Sequence, residues 1–162
     1  MKDYLLNHIY QYQNFWKVKP ILYYGDKFQD NLILVFGTPR TAIFAHMDSI
    51  GFTVRYNNEI IKIGGSISKD GITLIGNDSN GKIEGNIFNK DGKIFIDFNR
   101  IIDIGTSLTF KPNFRENNTF IESCYLDNRL GVWNALEVAK ELENGIIVSV
   151  SYTHLTLPTN VA

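Results

Sequence analysis

What most constrains this chain is a double change of hydrophobic period along its length. Residues 3–16 place Leu5, Leu6, Ile9, Tyr12, Phe15 and Trp16 at helical spacing, and Pro20 forbids continuation. From Ile21 the pattern is that of strands: Ile21–Tyr24, Asn31–Phe36 and Thr41–Ala45 are rich in branched and aromatic residues and are separated by Gly25-Asp26 and Gly37-Thr38-Pro39-Arg40. Runs this apolar predict strands buried on both faces. Helix returns only at Asp127–Leu142, where Leu130, Trp133, Leu136, Ala139 and Leu142 recur about every three residues, and a strand at Gly145–Val150 follows.

The intervening segment has another character. Phe52 to Phe114 hold 8 of the 13 glycines and read as short strands. Phe52–Tyr56 and Glu59–Ile63 flank Asn57-Asn58, and Ile83–Phe88 and Lys93–Phe98 flank Asn89-Lys90-Asp91-Gly92, two hairpin signals. In the second, Ile94, Ile96 and Phe98 share one face by the two-residue period of a strand. The predicted fold class is α/β, with residues 1–55 and 116–150 forming part of a mixed-sheet domain interrupted by a small all-β barrel at 56–115. A length of 162 residues with 44% hydrophobic side chains supports one sizeable core of a soluble protein.

Charge and cysteine content exclude several roles. Sixteen basic against seventeen acidic side chains leave a net charge of -1, which argues against nucleic-acid or membrane-surface binding driven by bulk charge. The single cysteine, Cys124, makes no intrachain disulfide, and a buried structural thiol is expected there. The opening Met1-Lys2-Asp3-Tyr4 leads into no apolar signal region, and the longest apolar run, Leu32 to Phe36, is far short of a bilayer span, so a cytoplasmic location is expected.

Three residues carry the candidate chemistry. His46 and Asp48, in Ala45-His46-Met47-Asp48, stand two apart at the end of an apolar strand, where extended backbone places them on one side and lets the acid orient the imidazole. The pair also reads as an ordinary hydrogen-bonded couple. Asp127, at the start of the second helix, is equally a helix cap or a ligand, although Leu130 leaves it without the acidic or amide partner of a capping box. Ser66, in Gly65-Ser66-Ile67-Ser68, lacks the strand-to-helix turn of a nucleophile.

Taken together, Ala45-His46-Met47-Asp48-Ser49-Ile50-Gly51-Phe52 and Leu126-Asp127-Asn128-Arg129-Leu130-Gly131 resemble the two N-terminal motifs of the glutamyl, deblocking and tetrahedral aminopeptidases, a family of dinuclear metallopeptidases. Lys62-Ile63-Gly64-Gly65 and Gly105-Thr106-Ser107-Leu108-Thr109-Phe110 are similar to that family's β-insert, with Gly105-Thr106 where the family usually has Gly-Asp. The 81 positions between His46 and Asp127, filled by the all-β block, also match. The resemblance implies that His46 ligates one metal, Asp48 holds His46 in orientation as part of the catalytic apparatus, and Asp127 bridges two divalent ions, Zn²⁺ or Co²⁺. A bridging carboxylate suits cations about 3.5–4 Å apart, a pair able to activate water and polarise a peptide carbonyl. It further implies peptide substrates and a homo-oligomer, with neither nucleic acid nor membrane as partner.

In the family a Glu-Glu pair, a later acid and a distant histidine complete the site. This chain has no Asp or Glu after Glu143, and residues 151–162 do not match the family. The sequence therefore predicts the N-terminal part of an aminopeptidase, inactive by itself, ending in a tail foreign to the fold. The competing expectation is a non-catalytic binding or assembly module with a vestigial metal site.

Overall fold

The computed structural model describes residues 1–151; expectations for residues 152–162 lie outside them. The chain runs through α1 (Lys2–Tyr12), β1 (Ile21–Tyr23), β2 (Leu32–Phe36) and β3 (Ala42–His46). Six strands follow, β4 (Gly51–Val54), β5 (Ile60–Ile63), β6 (Thr73–Asp78), β7 (Gly81–Lys90), β8 (Lys93–Asp97) and β9 (Ser107–Phe110). After the two-residue strands β10 (Arg115–Glu116) and β11 (Ile121–Glu122) come α2 (Leu126–Ala139) and β12 (Gly145–Val150). The chain divides into two units, one of Met1–Asp48 with the segment from Leu126 onward, the other of Ser49–Tyr125. The periodicity had placed these divisions at 55/56 and 115/116. The second falls later, at Tyr125, and the first earlier because Gly51–Val54 pairs with Ile60–Ile63 and with Ser107 and Leu108, which commits it to the β unit.

In the first unit a mixed sheet has the order β1-β2-β12-β3. The last strand enters the middle, antiparallel to β2 and parallel to β3, with Ile147 opposite Leu34 on one side and Ile43 on the other. Leu32, Leu34 and Phe36 alternate inward along β2 and share one core with Leu5, Ile9, Trp16, Leu136 and Ile147. Both helices contribute to that single core. The expectation of strands buried on both faces fails at β3, an edge strand on which Phe44 is 66% exposed.

The stripe of α2 also differs from the sequence reading. Val132, Ala135, Leu136 and Ala139 are buried, whereas Leu130 and Trp133 are half exposed. A strict three-residue spacing drifts by about 60° per step around a helix of 3.6 residues per turn, so it cannot stay on one face. The positions i, i+3, i+4 and i+7 can. Ser151, expected to begin a foreign tail, donates its N–H to Asn31 Oδ1 at 2.6 Å and so takes part in the fold.

The second unit is a six-stranded antiparallel sheet of order β5-β4-β9-β6-β7-β8, nearly closed by a bridge between Glu59 and Phe95. Phe52, Leu74, Ile83, Ile87, Ile96 and Leu108 fill it. The β7–β8 turn needs two consecutive residues of positive φ, and Asp91 (51°) and Gly92 (75°) provide them, the preference of a tight hairpin whose twist matches its strands.

One ion pair closes the same unit. Asp78, its side chain fully buried, accepts Arg100 Nη1 at 2.6 Å and Nη2 at 2.8 Å, and takes the backbone N–H groups of Asn80 and Asp103 at 3.0 and 3.2 Å. The Arg100 bonds hold the Asp78 carboxyl well below the usual carboxylate range against the opposing effect of desolvation. A depressed carboxyl stabilises the fold above its unfolded value, near pH 4, and that contribution drains away as the pH falls toward its folded value. Asp78→Asn is therefore expected to lower the thermal midpoint at pH 7 by several degrees and to flatten the decline in stability below about pH 4, read by circular dichroism across a pH series.

Candidate metal centre

Sheet edge and helix start create the site within the first unit. β3 ends at His46, and the following residues carry Asp48 back beside it. The imidazole Nδ1 lies 3.3 Å from the Asp48 carbonyl oxygen and 3.5 Å from its Oδ1. Both neighbours of Nδ1 are acceptors, and Nε2 points away from them. The Asp48 carbonyl oxygen thus lies slightly nearer the ring than the carboxylate to which the two-residue spacing had assigned the orienting role. That carboxylate leaves Oδ1 buried without a hydrogen-bond partner.

Asp127 arrives from the far side of the β unit in sequence. Its backbone is extended at the mouth of α2 (φ -86°, ψ 106°), which releases the side chain from the helix direction. Oδ1 stands 3.1 Å from His46 Nε2, and the carboxylate is 94% exposed. The structure thus brings together His46, Asp48 and Asp127, all three residues singled out from the sequence, across a separation of 81 positions. Both ring nitrogens of His46 face oxygen acceptors, an arrangement that a cation at Nε2 satisfies, whether proton or metal ion.

In kind, the donors suit a divalent metal: imidazole nitrogen and carboxylate oxygen are ligands for Zn²⁺ and Co²⁺. In number they supply part of a coordination sphere, since among the described residues no group of three His, Cys, Asp or Glu side chains is arranged to hold a metal ion. Other candidates have structural tasks. Ser66 is 2% exposed and its Oγ lies 2.7 Å from the Gly51 carbonyl oxygen and 2.9 Å from that of Ile63, donating to one of the two and fastening the end of the β4–β5 hairpin. Cys124, expected to be buried, is half-buried and lines an apolar recess with Ile50, Ile67, Ile72, Phe110 and Tyr125. The sequence reading missed the Asp78–Arg100 pair; their 22-residue separation across strand ends leaves no local signal.

The architecture is a mixed α/β fold: a mixed sheet carrying a histidine at a strand end and an aspartate at a helix start, with a nearly closed β unit between them in sequence. The solved structures it matches include TET peptidases. The Pyrococcus horikoshii TET1 peptidase, reported to assemble into a tetrahedron or a large octahedral shell, superposes with a TM-score of 0.66 at 19% identity over 92% of this chain and 55% of that one. Its dodecameric form gives 0.65 at 20% identity, covering 91% and 53%. The TET aminopeptidase of a marine sediment thaumarchaeote gives 0.73 at 13% identity, covering 95% and 54%. At such identities the likeness is one of fold, and the chain spans about half the length of these neighbours. No protein-family model and no curated protein matches the sequence. No helix among the described residues is long and apolar enough to cross a membrane.

Proposed function

We propose that this chain carries the N-terminal half of a dinuclear metal-dependent aminopeptidase, with His46 a ligand to one ion, Asp127 the bridge between two, and Asp48 the residue that fixes the His46 ring. The observation that carries the reading is the 3.1 Å approach of His46 Nε2 to Asp127 Oδ1. When bound, the ions would supply water activation and carbonyl polarisation. The chain's own part is to hold the imidazole with Nδ1 against Asp48 and Nε2 turned toward Asp127, and to offer an exposed carboxylate. The proposal extends to peptide substrates, a cytoplasmic location and self-assembly of the whole protein; assembly is supported by the dodecamer and shells of the fold neighbours.

Titration calorimetry with Zn²⁺ and with Co²⁺ tests the site. Weak binding is expected from the chain as it stands, because two ligands are few, and its loss is expected in both His46→Ala and Asp127→Ala. Binding that survives either substitution would place the metal elsewhere and refute the assignment.

A further inference from the structure

The Asp127 carboxylate is 94% exposed, too open for packing to set its direction, yet it lies 3.1 Å from the His46 ring. Apart from that contact, the backbone that carries it decides where the side chain starts from. That backbone departs from helical geometry at Asp127 and again at Asn128 (φ -121°, ψ 33°) before the regular turns of α2 begin. What seats it is visible three residues on. A Cβ at position 131 would overlap Asn128 Oδ1 and lie 2.6 Å from its Cγ and 2.9 Å from its Nδ2. The Asn128 amide therefore rests directly on the bare Cα of Gly131. Gly131 is not among the residues of positive φ, so close approach and not backbone conformation calls for glycine here. Glycine is disfavoured inside a helix relative to alanine, and the seat is kept against that local preference.

We propose that Asn128 and Gly131 form a positioning pair: the amide lodged on Gly131 fixes the peptide adjoining Asp127 and thereby aims the Asp127 carboxylate at His46. The inference rests on the reading of Asp127 as a metal ligand. It assigns work to two residues of the second motif, Asn128 and Gly131, as positioning residues that need not touch metal or substrate.

The test uses the full chain and three variants, Gly131→Ala, Asn128→Ala and the double substitution, with two measurements. Co²⁺ calorimetry is expected to show affinity about 10–100-fold weaker in each single variant, the range that residues supporting a metal ligand typically command, and no further loss in the double variant. Thermal unfolding is expected to show Gly131→Ala lowering the midpoint in the native background and not in the Asn128→Ala background, where the overlap is gone. Equal destabilisation in both backgrounds would overturn the seat, and unchanged Co²⁺ affinity in Asn128→Ala would overturn the positioning role. Should the unsubstituted chain bind no Co²⁺, the proposed metal site fails, and the positioning claim is decided by crystal structures of the metal-free chains. The 3.1 Å separation of His46 Nε2 from Asp127 Oδ1 is expected to be lost in Asn128→Ala, and its retention would refute the pair.

Discussion

Aminoacyl-nitroanilides are expected to stay intact when incubated with these 162 residues and Zn²⁺ or Co²⁺. The reason lies in what hydrolysis requires beyond a metal ion. A base must stand within hydrogen-bond reach of the attacking water, and in the family that the motifs resemble a Glu-Glu segment following the strand equivalent to Gly145–Val150 provides it. Here no acid follows Glu143 in the sequence. Loss of a general base alone typically forfeits about 10²–10⁴ in rate, and a coordination sphere supplied by His46 and Asp127 would reduce the remainder further. Robust turnover by the short chain, lost in Asp127→Ala, would overturn this division of labour.

The second large effect is on stability. Phe52 is fully buried at the centre of the β unit and meets Phe110 edge to face at 5.7 Å. Truncating such a side chain removes its transfer free energy and leaves a cavity that the sheet cannot collapse around, at a cost of about 3–5 kcal/mol. For a unit of 60–100 residues each kcal/mol moves the midpoint by roughly 4–8 °C, so Phe52→Ala is expected to lower the melting transition of the β unit by about 12–40 °C. Phe44→Ala, at a position 66% exposed on the edge strand, is expected to shift melting by no more than a few degrees. Circular dichroism melting curves compare the two, and a Phe52→Ala chain that melts like the native one would show that this core is not continuous.

Different parts of the structure were legible in the sequence for different physical reasons. The Asp91-Gly92 turn was readable because two positive φ values in succession demand those residue types. The β unit was readable in kind from its two-residue period, but its ends were not, since Gly51–Val54 alternates no differently from a strand of the first unit and only its partners decide its allegiance. Nor does local sequence tell β12 to enter between β2 and β3; that placement depends on long-range burial of Ile147 against Leu34. The proximity of His46 and Asp127 came from motif resemblance, because no periodicity links residues 81 positions apart. Asp127 was ambiguous in the sequence between cap and ligand because a helix start suits both, and the extended backbone that carries its carboxylate beside the histidine leaves no local signal.

The central claim, that His46 and Asp127 hold a divalent ion between them, is tested most directly by anomalous diffraction from crystals of the chain grown with Zn²⁺. The predicted result is an anomalous peak about 2.0–2.2 Å from both His46 Nε2 and an Asp127 carboxylate oxygen, with Nδ1 still bonded to the Asp48 carbonyl. A peak at any other histidine, or none near His46 at a Zn²⁺ concentration where calorimetry detects binding, would contradict it.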